Sequence, residues 1–367
     1  MHKLGIQENV SLKEYTTFKI GGPARYFVEV KSVGKLQQVL EFAKKKNLEI
    51  FILGSGSNIL VSDRGFDGLV IRVLVKGVEI VDESHKIMKV KIGAGEVWDD
   101  VVKWVVENRL WGIENLSCIP GLSGSAAVQN IGAYGQEISD VFDLGEVYDR
   151  ETSEVKVLRA EECAFGYRRS IFRNEEKGRY IILNITLRLI KNGKPNLIYG
   201  SLLENFKDTE LDEVSIEEIR ELIIRLRTNK FPDLSKEGTV GSMFENVYLS
   251  KDEYNGLVSK VDNTFYLEDL RQFKEKFSFS NGIKIPVAFI IDKVCGLRGL
   301  VEGGVKIYDK QVLVFVSDVT KTKAHDVLNL MKKVCDEVYD KTGIKLENEP
   351  DLVGFSKEEL EGYFRLT

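Results

Sequence analysis

The chain has 367 residues, of which 43% are hydrophobic and 30% are charged, and its formal net charge is -5. This is the balance of a globular protein with a sizeable core, and the length predicts two or three domains. The negative net charge disfavours a general nucleic-acid-binding role, although it leaves room for a local basic site that binds one nucleotide.

Cysteine and histidine usage narrows the chemistry. Cys118, Cys163, Cys295 and Cys335 stand far apart in apolar segments, which predicts buried, reduced thiols in a cytoplasmic protein. The three histidines show no metal-ligand spacing, so we expect no metal site. The N-terminal residues do not resemble a secretory signal, and no apolar run approaches the roughly 20 residues of a membrane helix, so we expect no membrane insertion.

Hydrophobic periodicity predicts the elements of the first half of the chain. YFVEVK alternates like a half-buried strand over residues 26–31, and apolar residues at helical spacing follow over residues 35–45. Apolar runs predict further strands at EIFILG, GLVIRVL and IMKVKIG, then a helix at residues 98–107 and a long strand, YIILNITLRLI, at residues 180–190.

The second half begins after a turn-rich stretch, KNGKPN, which predicts a domain boundary. Ser215, with Glu218 three residues later, forms a capping box that predicts the start of a helix. The patterns then predict a strand at VLVFV, a helix at residues 323–341 and a last strand at IKLENEP. Because strands and helices are interspersed, we predict an α+β fold with one region ending near residue 192 and another starting near residue 200.

Three clusters of small residues suggest a binding site. They are IGGPAR at residues 20–25, GSGSN at residues 54–58 and IPGLSGSAAVQNIGAYG at residues 119–135. Backbone N–H groups in such turns form concave nests that suit a diphosphate without net positive charge. An extended ligand with a central pyrophosphate, such as FAD, fits three nests. The alternative reading is three tight turns without a ligand.

The GSGSN cluster follows a predicted strand and so invites comparison with a dinucleotide-binding fingerprint. That fingerprint requires a small residue at its last position, where this chain has Ile59, and the following ILVSD is extended in pattern rather than helical. No GxxxxGK[ST] phosphate loop occurs. The pattern therefore disfavours both of these nucleotide-binding motifs.

Seven segments, in chain order, carry a resemblance to a known family: YTTFKIGGPAR, ILGSGSNILVSD, GIENLSCIPGLSGSAAVQNIGAYGQEISD, FGYRRSIFR, RLRTNKFPD, GSMFEN and LENE. Over residues 15–355 the chain resembles the UDP-N-acetylenolpyruvoylglucosamine reductases of peptidoglycan synthesis. The resemblance implies an FAD-binding domain of the vanillyl-alcohol-oxidase (PCMH) type, in two subdomains, at residues 15–192. It also implies a C-terminal α+β substrate domain at residues 200–355, whose last strand returns to the active site.

The resemblance also implies the ligands. FAD is the expected cofactor, NADPH the co-substrate and UDP-N-acetylglucosamine enolpyruvate the substrate of a chain expected to be a monomer. The residues expected to contact FAD are Gly54, Ser55, Gly56, Ser57, Asn58, Ile119, Pro120, Gly121, Gly124, Ser125, Ala126, Gln129, Asn130, Gly132 and Tyr134.

The family reaction requires particular side chains, because hydride addition to an enol ether leaves enolate-like charge on the attached carboxylate. That charge needs a cation, and the neighbouring carbon needs a proton donor. By resemblance, Arg168 pairs with the carboxylate beside Tyr167, and Ser242 is the proton donor. The second glutamate of LENE, Glu349, matches the other active-site carboxylate, with Glu347 as the backup.

The remaining matches concern the nucleotide. Arg227 and Lys230 are expected to face phosphates, Asn246 to contact substrate, and the Tyr199 of IYGSL resembles the substrate-covering loop of one family subtype. Departures occur in GSMFEN, where family members usually read GSFFKNP, and after LENE, where a proline replaces the usual valine. The Lys-to-Glu change, at Glu245, leaves open how the diphosphate is held.

Two other functions stay open at this stage. One is another FAD-dependent sugar or alcohol oxidoreductase of the same superfamily, many of which attach the flavin covalently through His or Cys. The glycine segments contain no histidine, and Cys118 is the one thiol near them. The other is a non-catalytic nucleotide-sugar binding protein, for which the altered GSMFEN segment is the argument.

Overall fold

The computed structural model describes residues 2–279 and 282–364 and divides the chain into two compact units. The first unit comprises the residues up to Val10 together with Ala24–Ser55 and Asp67–Asn229. The second comprises Ser11–Pro23, Gly56–Phe66 and the chain from Lys230 onward. Both units mix helices with strands, so the predicted α+β class is confirmed.

The units divide the chain differently from the predicted domains at residues 15–192 and 200–355. The KNGKPN stretch lies inside the first unit, because a Cβ at Gly193 would fall 2.7 Å from the Trp111 side chain, and Ile216 packs into the first unit's core. In the other direction, Ile59–Val61 joins the second unit by pairing in parallel with Asp351–Val353. Long-range pairing of this kind leaves no mark in local periodicity.

The first unit contains two main sheets. One has the strand order Gln7–Ser11, Pro23–Val30, Phe66–Val73, Ile50–Leu53. The other has six strands. Five follow in the order Glu154–Arg159, Phe142–Asp149, Tyr180–Lys191, Ile87–Gly93, Val78–Glu83, and the sixth, Leu110–Trp111, pairs with the long central strand Tyr180–Lys191. A short pair, Gly132–Ala133 with Gln136–Glu137, lies in the segment predicted to bind the cofactor.

Helices complete the first unit: Val33–Lys45, Trp98–Glu107, Ser123–Val128, Gly200–Asn205 and Ile216–Lys230. The last of these begins where predicted, because the Glu218 N–H donates to the Ser215 hydroxyl and the Glu218 carboxylate accepts from the Ser215 N–H. Trp98 is fully buried in the core, and its indole N–H donates to the Leu116 carbonyl at 3.1 Å. This bond connects the start of helix Trp98–Glu107 to the segment before the third glycine cluster.

The second unit has its own core. Its strands are Ile59–Val61 with Asp351–Val353, then Val247–Leu249, Gly282–Ile285 and Ser278–Phe279, and finally Val301–Glu302, Val305–Ile307 and Phe315–Ser317. Its helices are Lys251–Lys260, Thr264–Lys276, Val287–Phe289, a π-turn at Ile290–Val294, Ala324–Thr342 and Lys357–Glu361. The apolar face of Ala324–Thr342 is buried in this core.

The periodicity-based predictions agree closely with the structure for the long elements and fail near the C-terminus. The helix at residues 98–107 is observed with the predicted bounds, and the predicted strand at VLVFV is shortened to Phe315–Ser317. IKLENEP is wrong as a last strand: it makes one bridge, at Asn348, and the strand follows at Asp351–Val353. Across the described ranges, no helix has both the length and the apolar character that crossing a membrane requires.

Candidate active site

Two of the predicted glycine segments meet in the first unit. A Cβ at Gly54 would lie 3.0 Å from the Ser125 hydroxyl, so the turn after Ile50–Leu53 touches the helix Ser123–Val128. Gly121, with a φ of +156°, and Gly135, with a φ of +81°, lie on either side of that helix in the chain. Small residues and turning backbone thus come together where an extended ligand needs close approach to N–H groups. The residues present fit the pyrophosphate of FAD.

Other glycines in these clusters are required by protein atoms instead. A Cβ at Gly56, which has a φ of +64°, would lie 2.1 Å from the Tyr15 carbonyl oxygen. A Cβ at Gly22 would lie 2.3 Å from the Asp63 carbonyl oxygen. At Gly22 and Gly56, close packing against protein backbone is therefore enough to require glycine. The argument for a ligand then depends on Gly54 and on the glycines of residues 119–135.

Within the third cluster, several side chains face the protein rather than an opening. Ala126 is buried in the first core, and Ile119 packs against that core. Gly124 is buried, and a Cβ there would lie 2.7 Å from the Cβ of Ala94. Pro120 is exposed. At these positions the backbone, more than the side chains, is what the segment can offer to FAD.

Asn130 is fully buried, and its side chain is bonded within the protein. Its amide N–H groups donate to the Glu137 carboxylate and to the Gly166 carbonyl, both at 2.8 Å. Its oxygen accepts from the Ser139 N–H at 3.1 Å. Asn130 therefore connects the cofactor segment, which is residues 119–135, to the turn that carries Arg168. Gln129, its neighbour, is half-buried.

Arg168 occupies an unusual backbone position. Gly166 and Arg169 exchange backbone hydrogen bonds around a four-residue turn, and Arg168, the third residue, has a φ of +52°. Residues with a Cβ rarely adopt this left-handed conformation. The guanidinium lies 5.2 Å from the centre of the Tyr167 ring and donates to the Gly132 carbonyl at 3.0 Å. The turn thus directs Arg168 against the cofactor segment.

A second cluster in the first unit joins residues from three predicted roles. The rings of Tyr134 and Tyr199 meet edge to face with centroids 5.4 Å apart. Burial raises the pKa of Tyr134, and the charge of Arg227 opposes that rise. Burial also lowers the pKa of Arg227, whose Nε donates to the Cys118 carbonyl at 3.1 Å. Tyr134, Tyr199 and Arg227, which were predicted to contact FAD, to cover the substrate and to face a phosphate, are therefore neighbours.

In the second unit, the GSMFEN and LENE segments run side by side. The Glu349 N–H donates to the Met243 carbonyl at 3.0 Å, and the Glu245 N–H donates to the Glu347 carbonyl at the same distance. Ser242, next to Met243, bridges to Val314 on the other side. The predicted proton donor and the predicted carboxylate thus sit one residue apart in the register of adjacent segments.

The GSGSN segment reaches the same place. The Asn58 side chain donates to the Glu349 carbonyl at 3.1 Å, and the Asn58 backbone carbonyl accepts from the Asp351 N–H. Glu349 is half-buried whereas Glu347 is exposed, which favours Glu349 as the active-site carboxylate. Ser55 and Ser57 are half-buried parts of this turn.

Two further residues, Asn246 and Lys230, were predicted to bind the substrate. The Asn246 side chain accepts from the Val287 N–H at 3.1 Å, so it caps the helix Val287–Phe289. Lys230 is exposed at the end of helix Ile216–Lys230. No group of three or more His, Cys, Asp or Glu side chains in the described part of the chain could hold a metal ion.

Sequence reasoning missed a buried polar network under Tyr134. Asn115 is fully buried, and its amide donates to the Tyr134 carbonyl at 2.9 Å and to the Asn196 carbonyl at 2.8 Å. Gln136 connects the Asn115 N–H to the carboxylate of Glu114. Burial raises the pKa of Glu114 more than its hydrogen bonds lower it. Glu114 and Asn115 lie in GIENLSC, which is part of one of the segments that resemble the family. Nothing in the local sequence pattern indicates which residues they bond.

Comparison with known proteins decides the family. Residues 24–157 match the family model of an FAD binding domain, and residues 233–353 match the C-terminal domain of UDP-N-acetylenolpyruvoylglucosamine reductase. A UDP-N-acetylenolpyruvoylglucosamine reductase of Flavobacterium johnsoniae is 36% identical over 349 residues, which covers 95% of this chain and 99% of the relative. One of Bdellovibrio bacteriovorus is 35% identical over 345 residues and covers 94% and 98%. The chain belongs to the UDP-N-acetylenolpyruvoylglucosamine reductase family.

Membership of this family confirms the predicted fold, enzyme class and cofactor. The crystal structure of the UDP-N-acetylenolpyruvylglucosamine reductase of Thermus caldophilus has the same fold, with a TM-score of 0.63 at 22% identity, covering 95% of this chain and 99% of that one. The first part matches an FAD binding domain, and the second matches the family's C-terminal domain. The chain is an FAD-dependent oxidoreductase.

Proposed function

We propose that this protein reduces UDP-N-acetylglucosamine enolpyruvate to UDP-N-acetylmuramate with NADPH, as a step in peptidoglycan precursor synthesis. The name shared by the relatives from Flavobacterium johnsoniae and Bdellovibrio bacteriovorus supports the substrate. FAD, when bound, would supply the hydride chemistry that links NADPH to the vinyl carbon of the substrate. The chain's own residues bind the ligands, balance charge and supply the proton.

Arg168 is the proposed partner of the substrate carboxylate. A guanidinium matches a carboxylate with two parallel N–H donors, and a lysine does not. As hydride arrives at the vinyl carbon, negative charge moves onto the carboxylate, and a cation fixed in advance stabilises that charge most effectively. The contacts of Arg168 with Gly132 and Tyr167 hold it in advance.

Ser242 is the proposed proton donor, and Glu349 the proposed carboxylate beside it. A serine is a weak acid, so protonation of the carbon depends on neighbours that favour release of the hydroxyl proton. The backbone hydrogen bonds between the segments that carry Ser242 and Glu349 support the nearness of the two residues. Asn58 supports it further, because its bond to the Glu349 carbonyl fixes that segment.

The proposed nucleotide-holding residues are Arg227, Lys230, Tyr199 and Asn246. Arg227 is a desolvated cation on helix Ile216–Lys230, and a phosphate is a natural partner for it. Tyr199 is half exposed, with 49% of its surface accessible, yet its ring rests on Tyr134. An aromatic ring held at an exposed position suits a residue that covers a ligand.

The observation that carries the proposal is the contact of Arg168 with the segment expected to bind FAD, where its guanidinium donates to the Gly132 carbonyl at 3.0 Å. The proposed compartment is the cytoplasm, and the thiols of all four cysteines, which are unpaired, are in keeping with it.

The two half-reactions test the assigned roles separately. Arg168→Ala is expected to retain FAD and its reduction by NADPH while losing reoxidation by the enolpyruvyl substrate. Ser242→Ala is also expected to keep reduction of FAD by NADPH and to lose reoxidation by the enolpyruvyl substrate. Arg169→Ala is the matched control, because Arg169 lies in the same turn with an exposed side chain. Wild-type turnover in Arg168→Ala, or equal losses in both half-reactions of Ser242→Ala, overturns the corresponding role.

A further inference from the structure

A salt bridge between Asp99 and Arg220, which has no predicted role, holds the backbone at Cys118, just before the cofactor segment. Asp99 lies in the first turn of helix Trp98–Glu107, and Arg220 lies on helix Ile216–Lys230. The two terminal nitrogens of Arg220 donate to the two oxygens of Asp99 at 2.8 and 2.9 Å. The Arg220 side chain is only 12% exposed. Two parallel bonds of this kind fix orientation as well as distance.

The same carboxylate holds the backbone of Cys118. The Cys118 N–H donates to Asp99 Oδ1 at 2.5 Å, and Cys118 has a φ of +60°. A residue with a side chain needs fixed surroundings to remain in this left-handed conformation. Burial raises the pKa of Asp99, but Arg220 and the Cys118 N–H outweigh burial and hold the pKa below its ordinary value. Asp99 therefore stays ionised at neutral pH.

The other side of Cys118 leads to Arg227. The Cys118 carbonyl accepts from Arg227 Nε at 3.1 Å. Arg220 and Arg227 are seven positions apart on one helix, which is about two turns, so they share a face. Arg220, Asp99, Cys118 and Arg227 thus form a closed chain of hydrogen bonds between that helix and the two peptide units on either side of the Cys118 Cα.

We propose that Asp99 and Arg220 are positioning residues for Arg227. They hold Cys118 in its left-handed conformation. The Cys118 carbonyl then accepts the hydrogen bond from Arg227 Nε and so fixes the orientation of the guanidinium. This orients Arg227 for one phosphate group of the nucleotide substrate. The inference rests on the proposed function for the phosphate, whereas the positioning itself is a property of the first unit.

A salt bridge that only stabilised the fold would give a different result from one that positions Arg227. If the pair only held helix Ile216–Lys230 in place, breaking it would add its effect on activity to that of removing Arg227. If the pair acts through Arg227, breaking it has no further effect once Arg227 is gone. The Asp149–Arg179 pair is a matched control, because Asp149 is fully buried and bonds Arg179 at 3.2 and 3.0 Å in the same unit, without contacting Cys118.

The kinetic test compares Asp99→Asn, Arg220→Gln, Arg227→Ala and the double variant Asp99→Asn/Arg227→Ala. Each of the first two is expected to raise the KM of the enolpyruvyl nucleotide about tenfold, which corresponds to about 1.4 kcal/mol. Reduction of FAD at saturating NADPH is expected to stay at the wild-type rate. The double variant is expected to match Arg227→Ala alone, Arg220→Lys to recover part of the loss, and Arg179→Gln to keep the wild-type KM. Additive effects, or an unchanged KM, overturn the proposal.

A second readout does not need the substrate. The Nε–H resonance of Arg227, assigned by its disappearance in Arg227→Lys, is expected to exchange slowly with solvent in the wild-type holoenzyme. Exchange is expected to be faster in Asp99→Asn and unchanged in Arg179→Gln. Unchanged exchange in Asp99→Asn overturns the positioning claim even if that variant folds less well. If the wild type does not turn over the enolpyruvyl nucleotide, the proposed function fails while this resonance still decides the positioning.

Discussion

Replacing Asn115 with leucine removes a side chain that is hydrogen-bonded to both the Tyr134 carbonyl and the Asn196 carbonyl. Its amide donates to both carbonyls, at 2.9 and 2.8 Å, from a fully buried position. Leucine has nearly the same size but no donor, so both carbonyls lose their partner without a large change in packing volume. The comparison variant Asn115→Asp keeps the shape and places carboxylate oxygens against the same two carbonyl oxygens.

The size of the effect follows from three contributions. Leaving a buried polar group unpaired costs about 1–3 kcal/mol, and the two carbonyls here are only partly buried, so about 1 kcal/mol each is appropriate. Among the described residues the Oδ1 of Asn115 has no hydrogen-bond partner, and leucine removes that penalty of about 1 kcal/mol. Asn115→Leu is therefore expected to lose about 1 kcal/mol of unfolding free energy. Asn115→Asp also buries an unpaired charge, so it is expected to lose about 3 kcal/mol or more.

Urea unfolding followed by tryptophan fluorescence measures this directly, because Trp98, Trp104 and Trp111 all lie in the first unit. The exposed Asn205, which bonds the Ser201 carbonyl, supplies the control variant Asn205→Leu, expected within about 0.5 kcal/mol of wild type. Equal stability of the leucine and aspartate variants would refute the reasoning. It would mean that the amide nitrogen does not face the two carbonyls.

Two further predictions concern stability. Glu114 holds its proton to higher pH when folded than when unfolded, because burial raises its pKa. The stability of wild type relative to Glu114→Gln is therefore expected to fall as pH rises from the ordinary value of 4.5 toward neutrality, and a constant difference in urea unfolding contradicts this. Gly56→Ala is expected to destabilise the protein by about 1–3 kcal/mol more than Gly241→Ala. Both glycines have a positive φ, but a new Cβ meets the Tyr15 carbonyl only at Gly56, and equal calorimetric losses would contradict the packing argument.

Elements with a long periodic pattern could be predicted from the sequence. The helix Trp98–Glu107 and the strand Tyr180–Lys191 follow from spacing alone, and Ser215 with Glu218 marks a helix start. These features depend on neighbours within a few residues. The division into units depends instead on Ile59–Val61 pairing with a strand near the C-terminus, and local patterns contain no information about such a partner.

The sequence predicted which residues belong to the candidate site better than it predicted the contacts that hold them. The resemblance named Arg168, and the structure adds the strained turn and the Gly132 contact that hold it. It named Arg227, and the structure adds Asp99 and Arg220 behind it. Buried polar networks of this sort combine residues from distant segments. Each member alone reads as an ordinary surface charge, so the sequence does not single it out.

The central claim is that the chain passes electrons from NADPH through FAD to an enolpyruvyl nucleotide. Its most direct test is anaerobic and has two steps: NADPH is added to the purified holoenzyme, and UDP-N-acetylglucosamine enolpyruvate follows. We expect the visible flavin absorbance to fall in the first step and to return in the second, with UDP-N-acetylmuramate formed in equal amount. Flavin that bleaches and does not return with this substrate would contradict the proposed function.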